Sequence, residues 1–153
     1  MPAASIDHLR APPEDLIAAD LGWLDADRHH LLACTDPDFP ALLARAPNAP
    51  AALLVVGDAD VLWRAQVGIV GSRNPTAGGI DHARDFADSL ARAGLAITSG
   101  LAEGIDAACH RAALDAGAPT VAVMGTGPDR IYPARHRALA HDIVAAGGAL
   151  VSE

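Results

Sequence analysis

Lysine is absent from this chain of 153 residues, aromatic residues make up 3% of it, and its two cysteines, Cys34 and Cys109, lie far apart. Each shortage excludes something. Without lysine there is no G-K-[ST] Walker loop. Two cysteines in no recognisable spacing support neither a disulfide framework nor a zinc site, so both read as reduced thiols. No apolar run approaches the roughly 20 residues of a membrane span. The opening stretch, Met1-Pro2-Ala3-Ala4-Ser5-Ile6-Asp7, lacks the basic and apolar regions of a signal peptide. The expectation is a cytoplasmic protein that does not engage a membrane.

Length and a hydrophobic content of 51% suit one domain with a real core. The net charge of −8 weighs against a nucleic-acid partner, because phosphate affinity comes from Lys and Arg releasing counterions. Its distribution matters more. Residues 1–67 hold four Arg against ten acids, a balance of −6, while residues 68–153 hold seven Arg against nine acids, a balance of −2. Every basic residue is Arg, whose planar fork grips phosphate in two places. A GC-rich genome that prefers Arg and Ala codons explains the same bias.

Three times a short apolar run ends in a glycine-rich polar loop that leads into a helical stretch. Val67-Gly68-Ile69-Val70 precedes Gly71-Ser72-Arg73. Leu95-Ala96-Ile97-Thr98 precedes Ser99-Gly100-Leu101-Ala102-Glu103-Gly104. Thr120-Val121-Ala122-Val123-Met124 precedes Gly125-Thr126-Gly127. Such runs suit strands buried on both faces, and their alternation with helices implies an α/β fold of parallel βαβ units. Ligands bind outside the carboxyl ends of such strands, where the three loops converge.

The helices are legible from their ends. Ile80, Ala83, Phe86, Ala87, Leu90 and Ala91 form one apolar face. The stretch Ile105 to Ala116 carries a stripe of small residues, Ala108, Cys109, Ala112 and Ala116, which makes Cys109 a buried filler rather than a nucleophile. A third helix runs from about Ala134 to Ala146. Gly94, Gly117 and Gly147 each sit where a left-handed residue ends a helix. Residues 1–50 form an accessory helical and linker segment, with a helix from Pro12-Pro13-Glu14-Asp15 through Leu16, Ile17 and Leu21, and a helical stretch at Ala41 to Ala46. The strand Leu53 to Val56 then opens a domain spanning 51–153. The last strand, Ala149-Leu150-Val151, ends with no helix to cover it, so either a partner completes the layer or the form is truncated.

Each loop sits at a helix N-terminus, where free N–H groups and the helix dipole favour an anion. Ser72, Thr98, Ser99 and Thr126 add hydroxyls, and Arg73 adds a cation directly after a buried strand. The alternative partner for Arg73 is a salt bridge to Glu103 or Asp106. The details do not fit the usual dinucleotide site, which stays open only as a minor alternative: Gly71 to Gly79 does not read G-x-G-x-x-G, and the second strand ends in Thr98-Ser99-Gly100 rather than an acid for a ribose hydroxyl. Asp106 and His110, four apart, lack a third metal ligand and read as a helix-surface pair or a cap for the helix. His29-His30 reads as solvent-facing. Arg130, Arg135 and Arg137 either extend the basic edge or form a solvated face. Tyr132 either stacks a base or packs to fix its turn. No metal, cofactor or catalytic residue is expected.

Taken in order, Gly71-Ser72-Arg73, Ser99-Gly100-Leu101-Ala102-Glu103-Gly104-Ile105-Asp106 with His110, Gly125-Thr126-Gly127-Pro128-Asp129-Arg130-Ile131-Tyr132-Pro133 and Gly147-Gly148-Ala149-Leu150-Val151-Ser152-Glu153 closely resemble the DNA-processing protein A (DprA, or Smf) family. Trp23-Leu24 and Asp36-Pro37-Asp38-Phe39-Pro40 resemble its lead-in. The resemblance implies a three-layer, extended Rossmann-like fold with a mostly parallel sheet, of which further strands lie beyond Glu153. It also implies a non-enzymatic protein that binds single-stranded DNA and loads the RecA recombinase in natural transformation and recombination, as a homodimer at full length. Carried over by position, the phosphate-binding residues are Gly71, Ser72, Arg73, Ser99, Gly100, Gly104, Gly125, Thr126, Gly127, Arg130 and Tyr132. Pro128 departs from the family's usual aliphatic residue. A related lysine-decarboxylase-like group cleaves nucleoside monophosphates on a similar fold, but its P-G-G-x-G-T motif is absent. A small-nucleotide sensor using the same loops remains open.

Overall fold

The chain folds around one six-stranded sheet in a computed structural model that describes residues 12–153; the opening stretch Met1 to Asp7 lies outside the described residues. In order the elements are α1 (Glu14–Leu24), β1 (His29–Ala33), α2 (Ala41–Ala44), β2 (Ala52–Gly57), a 3₁₀ turn (Ala59–Trp63), β3 (Gln66–Gly68), α3 (Ala77–Arg92) and β4 (Ala96–Ser99). Then follow α4 (Ile105–Asp115), β5 (Thr120–Val123), a second 3₁₀ turn (Ala134–His136), α5 (Arg137–Ala145) and β6 (Ala149–Ser152). Spatial order is β1-β2-β6-β5-β4-β3, with β3 to β6 parallel and β1 and β2 antiparallel. The fold is α/β and Rossmann-like, with a mostly parallel sheet.

From β3 to β6 each strand is laid down beside the last in the same direction, and right-handed crossovers then put all the connecting helices on one face. Register confirms it. Ile97, Thr120, Ala122 and Leu150 share the face packed by α3, α4 and α5. Val55, Val121, Ala149 and Val151 face the other way, against Phe39 and Val61. That third layer is thin, formed by α2 and the first 3₁₀ turn, and it leaves an apolar groove of about 710 Å³.

The same one-way order makes β3 an edge strand. The expectation of burial on both faces holds for β4 and for β5 as far as Ala122, but not for Val123, which is 50% exposed, nor for β3, where Val67 is half-buried, Gly68 is exposed and Val70 beyond it is 77% exposed. On α3, Ala83, Ala87 and Ala91 are buried as expected, whereas Phe86 is 65% exposed at the border of the stripe. Its helix is capped by Thr76, whose Oγ1 accepts the Gly79 amide at 3.1 Å. Gly94, Gly117 and Gly147 all have positive φ and end α3, α4 and α5. The accessory segment also supplies β1, which the sequence reading missed. His29 and His30 are accordingly half-buried rather than solvent-facing: His29 Nδ1 donates to the Trp23 carbonyl at 2.9 Å, and His30 Nε2 donates to that of Gly57 at 3.2 Å.

Candidate functional site

The carboxyl ends of β3, β4 and β5 come together at one rim, and their three loops enclose a cavity of about 220 Å³. Arg73 from the first loop, Gly100, Ala102 and Glu103 from the second, and Met124, Gly125, Thr126, Tyr132 and Pro133 from the third line it. It shares Met124 and Gly125 with the larger groove on the opposite face, so the third loop divides the two. The groove is larger and carries Arg64 and Trp63, but of the two it is the small cavity that all three loops line, with Arg73 and Tyr132.

Backbone-to-backbone contact fixes the first loop against the second. Gly104 has φ of +79°, and a Cβ there would stand 2.3 Å from the Ser72 carbonyl oxygen. The Ile105 amide, first of α4, donates to that same oxygen at 3.1 Å. Gly71 packs against the Ile105 side chain, which a Cβ would strike at 2.7 Å. Ser72 Oγ accepts the Asn74 amide at 3.1 Å and so shapes the turn that presents Arg73. Among the described residues Arg73 has no acidic partner. Glu103 pairs instead with Arg135 from the second 3₁₀ turn, so the Arg73 guanidinium carries no salt bridge.

The hydroxyls expected at this edge divide by strand alternation. Ser99 is buried and donates to the Ile69 carbonyl at 2.6 Å, tying β4 to the chain leaving β3 beneath the rim. Thr98 points to the other face and donates to Gln66 Oε1. Thr126 lines the cavity and donates to the Arg130 carbonyl at 2.6 Å, while the Arg130 amide donates to Gly127, so the third loop is a closed turn. Gly127 abuts Asp129, and Arg130 and Arg137 are exposed along the outer side. Gly125 is exposed, and a Cβ there would meet nothing within 4 Å. Among the described residues no acceptor occupies the amides of Gly125, Thr126 and Gly127. Tyr132 is 67% exposed at the mouth.

Asp106 and His110 do not form a helix-surface pair, because both are buried. Asp106 Oδ2 accepts the Ala102 amide at 3.3 Å and lies where a Cβ on Gly100 would be 2.8 Å away, so it braces the second loop. The sequence reading missed the layer underneath. Leu101 adopts φ of +58° in the core, and its carbonyl accepts His136 Nδ1–H at 2.8 Å, which pins the second loop to the start of α5. His110 Nδ1 donates to Thr120 Oγ1 at 2.8 Å, since that hydroxyl itself donates to Ile97; Nε2 is buried without a partner. Burial, and secondarily the nearby His136, push the His110 pKa down to about 4.

A histidine held below its ordinary value charges more readily in the unfolded chain. Stability is therefore full above pH 6.5 and drains away as pH falls towards 4. Urea unfolding at pH 7.5 and pH 5, where ordinary carboxylates remain ionised, should show a loss of about 2 kcal/mol at the lower pH. A flat profile across that window would contradict the neutral, buried assignment. Burial likewise raises the Cys109 thiol to about 11, as befits a filler beneath α3.

The family model described as DNA recombination-mediator protein A matches residues 30–153. Protein Smf of Escherichia coli K12 is 40% identical over 141 residues, covering 92% of this chain and 38% of that protein. DNA processing protein DprA of Streptococcus pneumoniae is 39% identical over 104 residues, covering 68% of this chain and 36% of that protein. Among solved structures, S. pneumoniae DprA superposes with a TM-score of 0.75 at 33% identity, over 88% of this chain and 47% of that one. Helicobacter pylori DprA, whose structure concerns its single-stranded DNA binding mode, superposes with a TM-score of 0.70 at 28% identity, over 82% of this chain and 55% of that one. The chain thus spans less than two fifths of either curated relative. Three spaced loop motifs on one rim, a match over four fifths of the length and two superposable folds place this chain in the DNA recombination-mediator protein A family.

Proposed function

We propose that the rim binds single-stranded DNA, with phosphates held by Arg73 and the open amides of the Gly125 to Gly127 loop. The observation that carries this reading is the unpaired Arg73 guanidinium beside a small cavity with an aromatic mouth. Charge-assisted hydrogen bonds to phosphate supply affinity, and a base stacked on Tyr132 adds about 1–3 kcal/mol without demanding a sequence. In this proposal the chain is not an enzyme. It serves, as part of a longer cytoplasmic protein, to help load the RecA recombinase during natural transformation and recombination. One rim per chain neutralises two or three phosphates, so useful affinity on a polymer comes from copies side by side, and a homodimer fits that need.

Amide hydrogen exchange with and without a 20-nucleotide oligo-dT tests the assignment. Protection is expected at Ser72 to Asn74, Gly100 to Gly104 and Gly125 to Tyr132, with mononucleotides giving little. Protection confined to the groove on the opposite face would overturn the site. Equal protection by a mononucleotide would favour a nucleotide sensor.

A further inference from the structure

We infer that His136 is a positioning residue for the rim: it sets the spacing between Arg73 on the first loop and the amides of Gly125 to Gly127 on the third. This rests on the single-stranded DNA reading above, in which one strand is gripped by both. Two grips on a polymer bind tightly only when their separation is fixed beforehand. His136 closes the path that fixes it. Its amide donates to the Pro133 carbonyl at 2.9 Å, at the end of the third loop, and its ring Nδ1–H donates to the Leu101 carbonyl in the second at 2.8 Å. From Leu101 the second loop continues to Gly104, which lies against the Ser72 carbonyl beside Arg73.

The link is stiff. His136 is 5% exposed, and Leu101 is fully buried with Met124 at the base of the third loop and with Leu139 and Ile143 of α5. Leu101 also holds a φ of +58°, which an L-residue leaves unless its surroundings over-determine it. Among the described residues no backbone amide reaches the Leu101 carbonyl, so His136 is its donor. Beside it Arg135 pairs with Glu103, but those side chains are 64% and 40% exposed, and ion pairs in water contribute little. The buried histidine bond therefore outweighs the exposed ion pair.

The test is a double-mutant cycle on oligo-dT affinity, with His136→Leu made in the wild-type and Arg73→Ala backgrounds. Loss of one buried hydrogen bond of ordinary net strength predicts about 5- to 10-fold weaker binding in the first background. In the second the loss should stay within about 2-fold, because no guanidinium is left to position. His136→Asn, whose Nδ2 hangs from Cγ as the ring Nδ1 does, should bind within about 2-fold of wild type although it fills the site less well than leucine. His136→Gln places its amide one bond further out and should bind like the leucine variant, which it replaces in the cycle if leucine prevents folding. A general loosening of the fold predicts equal losses in both backgrounds and weaker binding by Asn than by Leu. Either result would overturn the role, as would full binding by His136→Leu or His136→Gln. Amide exchange in the free chain reads the same link without DNA: Ala102 and Ile105 should exchange about 5- to 10-fold faster in His136→Leu, and unchanged exchange would overturn the clamp itself. A wild type that binds no oligo-dT would remove the DNA reading and the positioning role with it, even where the exchange result holds.

Discussion

Replacing Arg73 by alanine should weaken binding of a single-stranded oligonucleotide roughly 10- to 100-fold while leaving the fold unchanged. The magnitude follows from hydrogen bonds to a charged group, worth about 1.5–3 kcal/mol each site. The side chain is exposed and has no salt bridge among the described residues, so its removal leaves no buried partner unsatisfied. Ordinary surface substitutions move stability by less than about 0.5 kcal/mol, and this one should do the same. Lysine at the same place should restore only part of the loss, because a point charge lacks the two-pronged grip of guanidinium. Fluorescence anisotropy at fixed salt, paired with urea unfolding, measures both halves of the expectation. Full binding by Arg73→Ala would mean that phosphates lie elsewhere.

Gly104→Ala should be the most damaging single methyl group at the rim, costing at least about 3 kcal/mol of stability. A positive φ of this kind costs an L-residue about 1–3 kcal/mol. The steric term adds to it, since the new Cβ would lie 2.3 Å from the Ser72 carbonyl oxygen and 2.8 Å from Pro75 Cδ, both in constrained parts of the chain. Relief requires the two loops to separate, which breaks the Ile105 N–H bond to Ser72 and displaces Arg73. Gly125→Ala is the matched control. It adds a methyl group to open space on the neighbouring loop, so stability should change by less than about 0.5 kcal/mol. Urea unfolding of the two variants checks the contrast, and similar midpoints would mean that the loops are not in backbone contact.

Much of this arrangement is written locally. Glycine after each helix marks Gly94, Gly117 and Gly147 as caps, and the three apolar runs mark β3, β4 and β5 because each is a short apolar stretch closed by a glycine-rich loop. The convergence of the three loops follows from parallel pairing. What stayed hidden depends on distant partners. β1 reads as His29-His30-Leu31-Leu32-Ala33 without alternation, and it becomes a strand through its register with β2. The ion pair of Glu103 runs to Arg135 in the second 3₁₀ turn, a partner that sequence proximity does not single out, whereas the sequence reading offers Glu103 only as an alternative partner for Arg73. Leu101 at positive φ carries no sequence signal, since leucine ordinarily avoids that region; the burial of its side chain and the His136 bond to its carbonyl hold it there. Strand alternation, by contrast, was available to show that Thr98 and Ser99 point to opposite faces. Phe86 illustrates the limit of periodicity, because a residue at the margin of an apolar stripe meets either core or solvent according to what packs beside it.

The salt dependence of oligo-dT binding, measured side by side for wild type and Arg73→Ala, tests the phosphate site most directly. Two or three phosphates at about −0.7 each predict a slope of log affinity against log salt of about −1.4 to −2.1, and the variant should lose about 0.7 of it. Identical slopes for the two proteins would contradict the assignment of Arg73 to phosphate, and a flat line for wild type would contradict a nucleic-acid site at this rim.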